Sequence, residues 1–229
     1  MRLMFEGAAN RVRNVGKQFL REEVEPLLRS KKFVRRKLTF CKWVGTNCEV
    51  VGFLRGRLFM REREDFEIHL GIFNRRIFDF DATLNPVAKA PQSPELEECH
   101  WRKPHFYATP SSLPAILTIR SDVPFHDLGL QVRSALESNV LPLLDQAVTD
   151  EGLREFLLHE WRERGLWGKG GLTGFELVNL AVLLAELGPS DQLVRVVDAC
   201  RKELAERPHA TAAMRRLARI HELRPRWLD

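Results

Sequence analysis

Asp65-Phe66-Glu67-Ile68-His69-Leu70-Gly71-Ile72-Phe73 is the stretch on which the fold turns. Phe66, Ile68, Leu70 and Ile72 alternate with Glu67, His69 and Gly71, the period-two pattern of a strand whose successive side chains point to opposite faces. The segment reads as half-buried, with His69 on its wet side. Working upstream, Glu49 to Phe59 is a second strand, with Val51 and Phe53 on the face opposite Val50 and Leu54. Gly52 and Gly56 mark a bulge or a close approach. Before it, Leu38, Phe40 and Val44 fall on one side of a further strand and Lys37, Thr39 and Trp43 on the other, with Gly45-Thr46-Asn47 as the turn between. Strands joined this closely pair antiparallel, because a parallel pair needs a long crossover.

Outside this core the period changes. Over residues 8–29, Val12, Val15, Phe19, Leu20, Val24, Leu27 and Leu28 recur at three- and four-residue spacing, while Arg13, Lys17, Arg21 and Glu25 fall between them. This is an amphipathic helix, and Pro26 should bend or tighten its last turn. Residues 82–98, with Asn85-Pro86, Pro91, Ser93-Pro94 and the acids Glu95, Glu97 and Glu98, form a long loop. Cys99 to Tyr107 and Ala115 to Arg120 supply further strands. From Asp127 the chain is helical, with Pro142 near the end of the first helix and Asp150 as N-cap of the second. Helices over about 173–187, 190–206 and 209–222 follow. In the last of them Arg215, Arg216 and Arg219 face away from Met214, Leu217 and Ile220. The expected class is α+β: an N-terminal helix, an antiparallel sheet of about four to six strands, then a helical C-terminal half. Residues 1–150 are assigned to the body and 151–229 to a helical appendix.

Composition sets the outer bounds. The chain has 229 residues, 44% hydrophobic and 29% charged, the balance of a globular protein and not of a disordered or fibrous one. No stretch approaches the roughly 20 consecutive apolar residues of a membrane span, and the first residues lack a secretory apolar core, so a cytoplasmic protein without a membrane partner is expected. Cys41, Cys48, Cys99 and Cys200 are few and irregularly spaced, which reads as reduced, buried thiols. Residues 1–90 carry 19 basic and 11 acidic side chains, a balance of +8, whereas 91–229 carry 17 and 20, a balance of −3. Lys31, Lys32, Arg35, Arg36 and Lys37 lead the excess, and Arg55, Arg57, Arg61, Arg63, Arg75 and Arg76 add to it. Such a patch neutralises phosphates, meets an acidic protein, or is simply a solvated sheet face.

Motifs for catalysis are argued down one by one. Gly168-Lys169-Gly170-Gly171-Leu172-Thr173 lacks the spacing of a phosphate loop and reads as a linker between helices. Cys99, His100 and His105, with Cys41 or Cys48, do not have the paired short spacing of a zinc site, so no metal is expected. Asp79 and Asp81 in Phe78-Asp79-Phe80-Asp81 would share one face of a strand and there bind a divalent ion, but no lysine follows at nuclease spacing. No G-x-S-x-G elbow is present, and Ser111 and Ser112 beside Pro110 are turn residues. No catalytic residue and no cofactor are assigned. The densest mixture of aromatics and cations is Cys99-His100-Trp101-Arg102-Lys103-Pro104-His105-Phe106-Tyr107, a composition met at binding hot spots and stacking platforms. Its plain reading is a strand with Trp101 and Phe106 in the core and Arg102 and Lys103 in solvent. The candidate binding residues are thus Arg55, Arg57, Arg61, Arg63, His100, Trp101 and Arg102.

Four short elements, in order, carry a resemblance. Val24-Glu25-Pro26-Leu27-Leu28-Arg29-Ser30-Lys31-Lys32-Phe33, Phe66-Glu67-Ile68-His69-Leu70-Gly71-Ile72-Phe73, Cys99-His100-Trp101-Arg102 and Leu141-Pro142-Leu143-Leu144-Asp145 resemble elements of the bacterial family called domain of unknown function 4304. In the second element His69 stands where that family usually has asparagine. The resemblance covers about residues 15–160; it implies an α+β body and carries no site across, and comparison with immunity proteins is by analogy. The expected function is a non-enzymatic protein-binding module of the toxin-neutralising, immunity-like kind. The alternatives are a nucleic-acid binder using the basic sheet face, or an unrecognised hydrolase or nuclease using Asp79, Asp81 or His100.

Overall fold

The computed structural model describes residues 15–56, 63–108, 113–165, 171–205 and 210–223. In chain order, helix α1 runs over 15–30, followed by strands β1 (Val34–Arg36), β2 (Thr39–Val44), β3 (Asn47–Arg55) and β4 (Arg63–Phe73). Helix α2 (Arg75–Ala82) leads into a loop that ends in a 3-10 turn, Leu96–Glu98. Strand β5 (Trp101–Pro104), a helical turn (His105–Ala108) and strand β6 (Leu117–Arg120) come next. Helix α3 spans 126–147, and α4 (Asp150–Arg164), α5 (Gly174–Ala185), α6 (Asp191–Ala205) and α7 (Thr211–Leu223) complete the chain. The architecture is α+β, with an N-terminal helix, an antiparallel sheet and a helical C-terminal half. No helix among the described residues is long and apolar enough to cross a membrane.

The chain divides into two compact units, Met1–Ile72 with Ser93–Asp145, and Phe73–Gln92 with Gln146–Asp229. Residues 73–92 thus group with the C-terminal helices. In the first unit the strand order is β1-β2-β3-β4-β5, and β6 also pairs with β4. The β2–β3 hairpin closes through Gly45 and Thr46, with Val44 opposite Asn47 and Gly45 at φ 59°, where only glycine is unstrained. Strand β4 hydrogen-bonds β5 through His69–Ile72 and β6 through Arg63–Phe66. One sheet face carries the main core: Phe40, Phe53 and Phe66 meet edge to face at 6.0 and 6.4 Å, beside the buried Phe19, Leu20, Val24 and Leu28 of α1.

The opposite face was expected to be wet, and at its centre it is not. An ideal Cβ on Gly52 would lie 2.3 Å from Leu96 Cδ1, and one on Gly71 would lie 2.6 Å from Cys99 Sγ. The 93–99 segment is therefore laid as a strap across this face, and the two glycines permit its close approach. The 3-10 turn in the strap is held by a reciprocal capping box between Glu95 and Glu98.

Proline placement in the helices corrects another expectation. Pro26 and Pro142 lack an N–H, and in a regular α-helix their rings would press on the carbonyls four residues back, those of Glu22 and Ser138. Each lies in a π-helical segment, Leu20–Val24 or Leu136–Val140. There the Glu25 N–H reaches the Leu20 carbonyl and the Leu141 N–H the Leu136 carbonyl. The helix widens to accommodate proline instead of tightening.

In the second unit, Phe78-Asp79-Phe80-Asp81 is helix and not strand. Asn74 caps α2 by accepting the Ile77 N–H at 3.1 Å, and Ile77 and Phe80, three apart, are its buried positions. Asp79 and Asp81 consequently point to different sides of a helix: Asp79 pairs with Arg75 on the surface, and Asp81 with Arg216. The N-cap of α4 is Thr149, whose hydroxyl accepts the Gly152 N–H, and Asp150 is the next residue, receiving Asn74 and Arg76. Helix α5 is capped by Thr173 and Glu176 in a second capping box. It is buried nearly all round, through Leu177, Val178, Leu180 and Ala181. Arg216, expected in solvent, is buried, while Met214 is 40% exposed.

Candidate binding groove

Positive charge gathers in the first unit around α1 and the β1–β2 connection. The amphipathic spacing of α1 puts Phe19, Leu20 and Val24 inside, so Lys17, Arg21, Glu25 and Arg29, each four residues apart, form the stripe beside them. Facing that stripe are Arg35, Lys37 and Leu38, with Arg55 from the end of β3. Together with Gln18 these side chains line a groove of about 860 Å³, with six cations and one carboxylate.

That carboxylate organises the groove. Glu25, buried to 9% exposure, accepts Arg29 Nη2 on Oε1 and Arg35 Nη1 on Oε2, both at 2.6 Å. Two guanidinium groups are thus held in position with further N–H donors unspent. Arg35 also donates from Nε to the Lys37 carbonyl at 2.9 Å and lies over the Phe40 ring. Lys37 adopts φ 56°, a left-handed conformation unusual for a side-chain-bearing residue. Lys17 and Lys37 have no ion-pair partner among the described residues.

The residues expected from sequence fare unequally. Arg55 lines the groove and pairs with the buried Glu64 at 2.5 Å. Arg63 pairs with the buried Asp65 at 3.1 Å, while Arg57 and Arg61 lie outside the described residues. His100 is half-buried and its backbone N–H donates to the Ile72 carbonyl at 2.8 Å. Trp101 is fully buried, Arg102 is exposed at 3.9 Å from Glu97, and Lys103, expected in solvent, is buried. The aromatic-cationic cluster is therefore divided between the two faces of β5, as period two requires. The repeat of polar side chains every fourth residue on α1 was read in sequence as the polar side of an amphipathic helix and not as one wall of a site.

A second charged cluster lies on the β2–β3 hairpin. Lys42 donates from Nζ to both Glu49 oxygens at 3.1 Å and to Asp145 Oδ1 at 2.6 Å, beside a cleft of about 470 Å³. Glu49 is fully buried, and burial pushes its carboxyl up to about 7 against the opposing pull of Lys42. A carboxyl raised above its ordinary 4.5 contributes stability that is complete below that value and is lost as pH climbs toward 7. Unfolding free energy should thus decline across this window by on the order of 3 kcal/mol from this residue, and Glu49→Gln should flatten the decline. Urea unfolding of both proteins at pH 5 and pH 8 measures the difference; equal pH slopes in the two would show that Glu49 does not titrate there.

Fold and site together define an α+β protein with a cationic groove beside its N-terminal helix. No family model matches the chain, and comparisons with curated proteins and with solved structures return no match.

Proposed function

We propose that the first unit is a protein-binding module that takes an acidic segment of another protein into the groove between α1 and the β1–β2 connection. The observation that supports this reading is the pair of arginines, Arg29 and Arg35, fixed by the buried Glu25 that lines the groove with them. Preorganised forks recognise carboxylates in a defined geometry, and the surrounding lysines add attraction and encounter rate. A groove whose one apolar lining residue is Leu38 offers no aromatic platform for stacked bases, which favours an acidic peptide over a single nucleic-acid strand. A partner of this charge fits the immunity-like role, in which a small protein covers an acidic surface of a toxin.

Fluorescence anisotropy with a labelled glutamate-rich peptide and a single-stranded DNA of equal charge separates the readings. The peptide should bind more tightly than the DNA. Lys17→Glu, Arg21→Glu and Arg29→Glu combined should weaken it at least about tenfold, with the fold intact because these positions lie at the surface. Tighter DNA binding with a steep salt dependence would move the assignment to nucleic acid. No binding of either probe would overturn the groove as a site for polyanions.

A further inference from the structure

Cys41 and Cys48, seven residues apart, lie on the sheet face that the 93–99 strap crosses, and the strap carries Cys99 onto the same face. Register decides this: Cys41 lies opposite Val50 and Cys48 opposite Trp43, so both thiols occupy the same face at diagonal positions of the β2–β3 hairpin. The Cys41 thiol donates to the Pro94 carbonyl at 3.1 Å, and Cys99 donates to the Glu95 carbonyl at 3.5 Å. The Cys48 thiol donates to the Glu49 carbonyl at 3.4 Å, on the same face as the Cys41 sulfur. Cys41 and Cys48 are buried, and Cys99 is half-buried at the end of the strap.

We propose that Cys41 and Cys48 are a redox modification site, converted by hydrogen peroxide into a reversible disulfide that staples the hairpin. The Cys41 sulfur attacks the peroxide O–O bond, takes one oxygen as a sulfenic acid and releases the other as water. The Cys48 sulfur then displaces that oxygen as a second water, forming the S–S bond. Two thiols give up two electrons and two protons, and one peroxide becomes two waters.

The division of roles follows from the surroundings. The hydrogen bond from Cys48 holds the Cys41 thiol below its ordinary range, against the effect of burial and with help from Arg36. Cys48 is raised by the same contact, and burial raises Cys99. Cys41 is therefore the sulfur that reacts with peroxide, and Cys48, its diagonal neighbour on the hairpin, is the one that resolves. Cys200, in the second unit, provides a contrast: burial pushes its thiol up to about 12.

The test is peptide mapping of the purified full-length chain after hydrogen peroxide treatment and alkylation under denaturing conditions. Cleavage after Lys37, Lys42 and Arg55 separates the two cysteines, so a disulfide appears as residues 38–42 linked to 43–55. This linked pair should form at least about tenfold faster than Cys200 is consumed, disappear with dithiothreitol, and be absent from Cys48→Ser. Linkage of Cys41 to Cys99 instead, linkage between chains, or loss of Cys200 at the same rate as Cys41 would overturn the proposal, as would full recovery of free Cys41 and Cys48.

Discussion

Arg216→Ala should destabilise the protein by about 4 kcal/mol, far more than Arg215→Ala beside it, which should stay within about 0.5 kcal/mol of the parent. Arg216 donates from Nε to Asp81 Oδ1 and from Nη2 to Asn179 Oδ1, both at 2.6 Å, with 7% of its surface exposed. Burial draws its pKa down and the Asp81 charge holds it up, while burial raises Asp81 and Arg216 opposes that rise. The two charges therefore compensate one another, with Arg216 the more deeply buried of the pair. Removing Asp81 leaves the buried Arg216 charge uncompensated, so Asp81→Asn should itself cost about 3 kcal/mol. The double variant should lose less than the sum of the two, by a coupling of about 2 kcal/mol in a urea-unfolding cycle. Additive losses would show that the two side chains act independently.

Arg216 also explains where sequence reading fails. Ala213, Arg216, Leu217 and Ile220 follow the i, i+3, i+4, i+7 spacing of a core stripe, and all four are buried. The periodicity was legible; assigning arginines to solvent by residue type overrode it. What no local pattern supplies is the partner, because Asp81 lies 135 positions away. Asp81 was misplaced for a different reason. Phe78-Asp79-Phe80-Asp81 alternates for only four residues, too few to distinguish a period of two from 3.6. The Asn74 cap and the Ile77–Phe80 spacing carried the helix signal. By contrast, β4 alternates over nine residues and was read in place, and the β2–β3 hairpin followed from its Gly45-Thr46 turn.

The groove and the thiol cluster show the same limit. The polar stripe of α1 was visible, but its meeting with Arg35 and Arg55 depends on tertiary packing of the sheet against that helix. Gly52 was flagged for close approach; that the approaching residue is Leu96, on the strap carrying Cys99, depends on where a long loop lands. Spacing along the chain argues against a cysteine site because Cys41 and Cys48 are seven apart. A two-residue turn makes that separation a diagonal neighbour pair.

Trp101→Ala should cost about 4 kcal/mol, comparable to Arg216→Ala but through packing and not charge. Trp101 is fully buried opposite Ile72, at the end of β4 where a strand of four residues completes the sheet. So short a strand has few ladder bonds, and the large ring supplies the apolar area that keeps it in place. Truncation both removes that area and leaves a cavity among rigid strands that cannot collapse around it. Trp101→Phe, which keeps a ring in the same pocket, should cost about 2 kcal/mol, and Arg102→Ala on the other face of β5 should be nearly neutral. The three urea midpoints should therefore rank Arg102→Ala, Trp101→Phe, Trp101→Ala in order of increasing loss. Were Trp101→Ala nearly neutral and the groove peptide to lose affinity instead, Trp101 would belong to the binding surface that its aromatic and cationic neighbours suggest. The alternation along β5 places it in the core, and a hot-spot composition spread over a strand is divided by period two into an inner and an outer half.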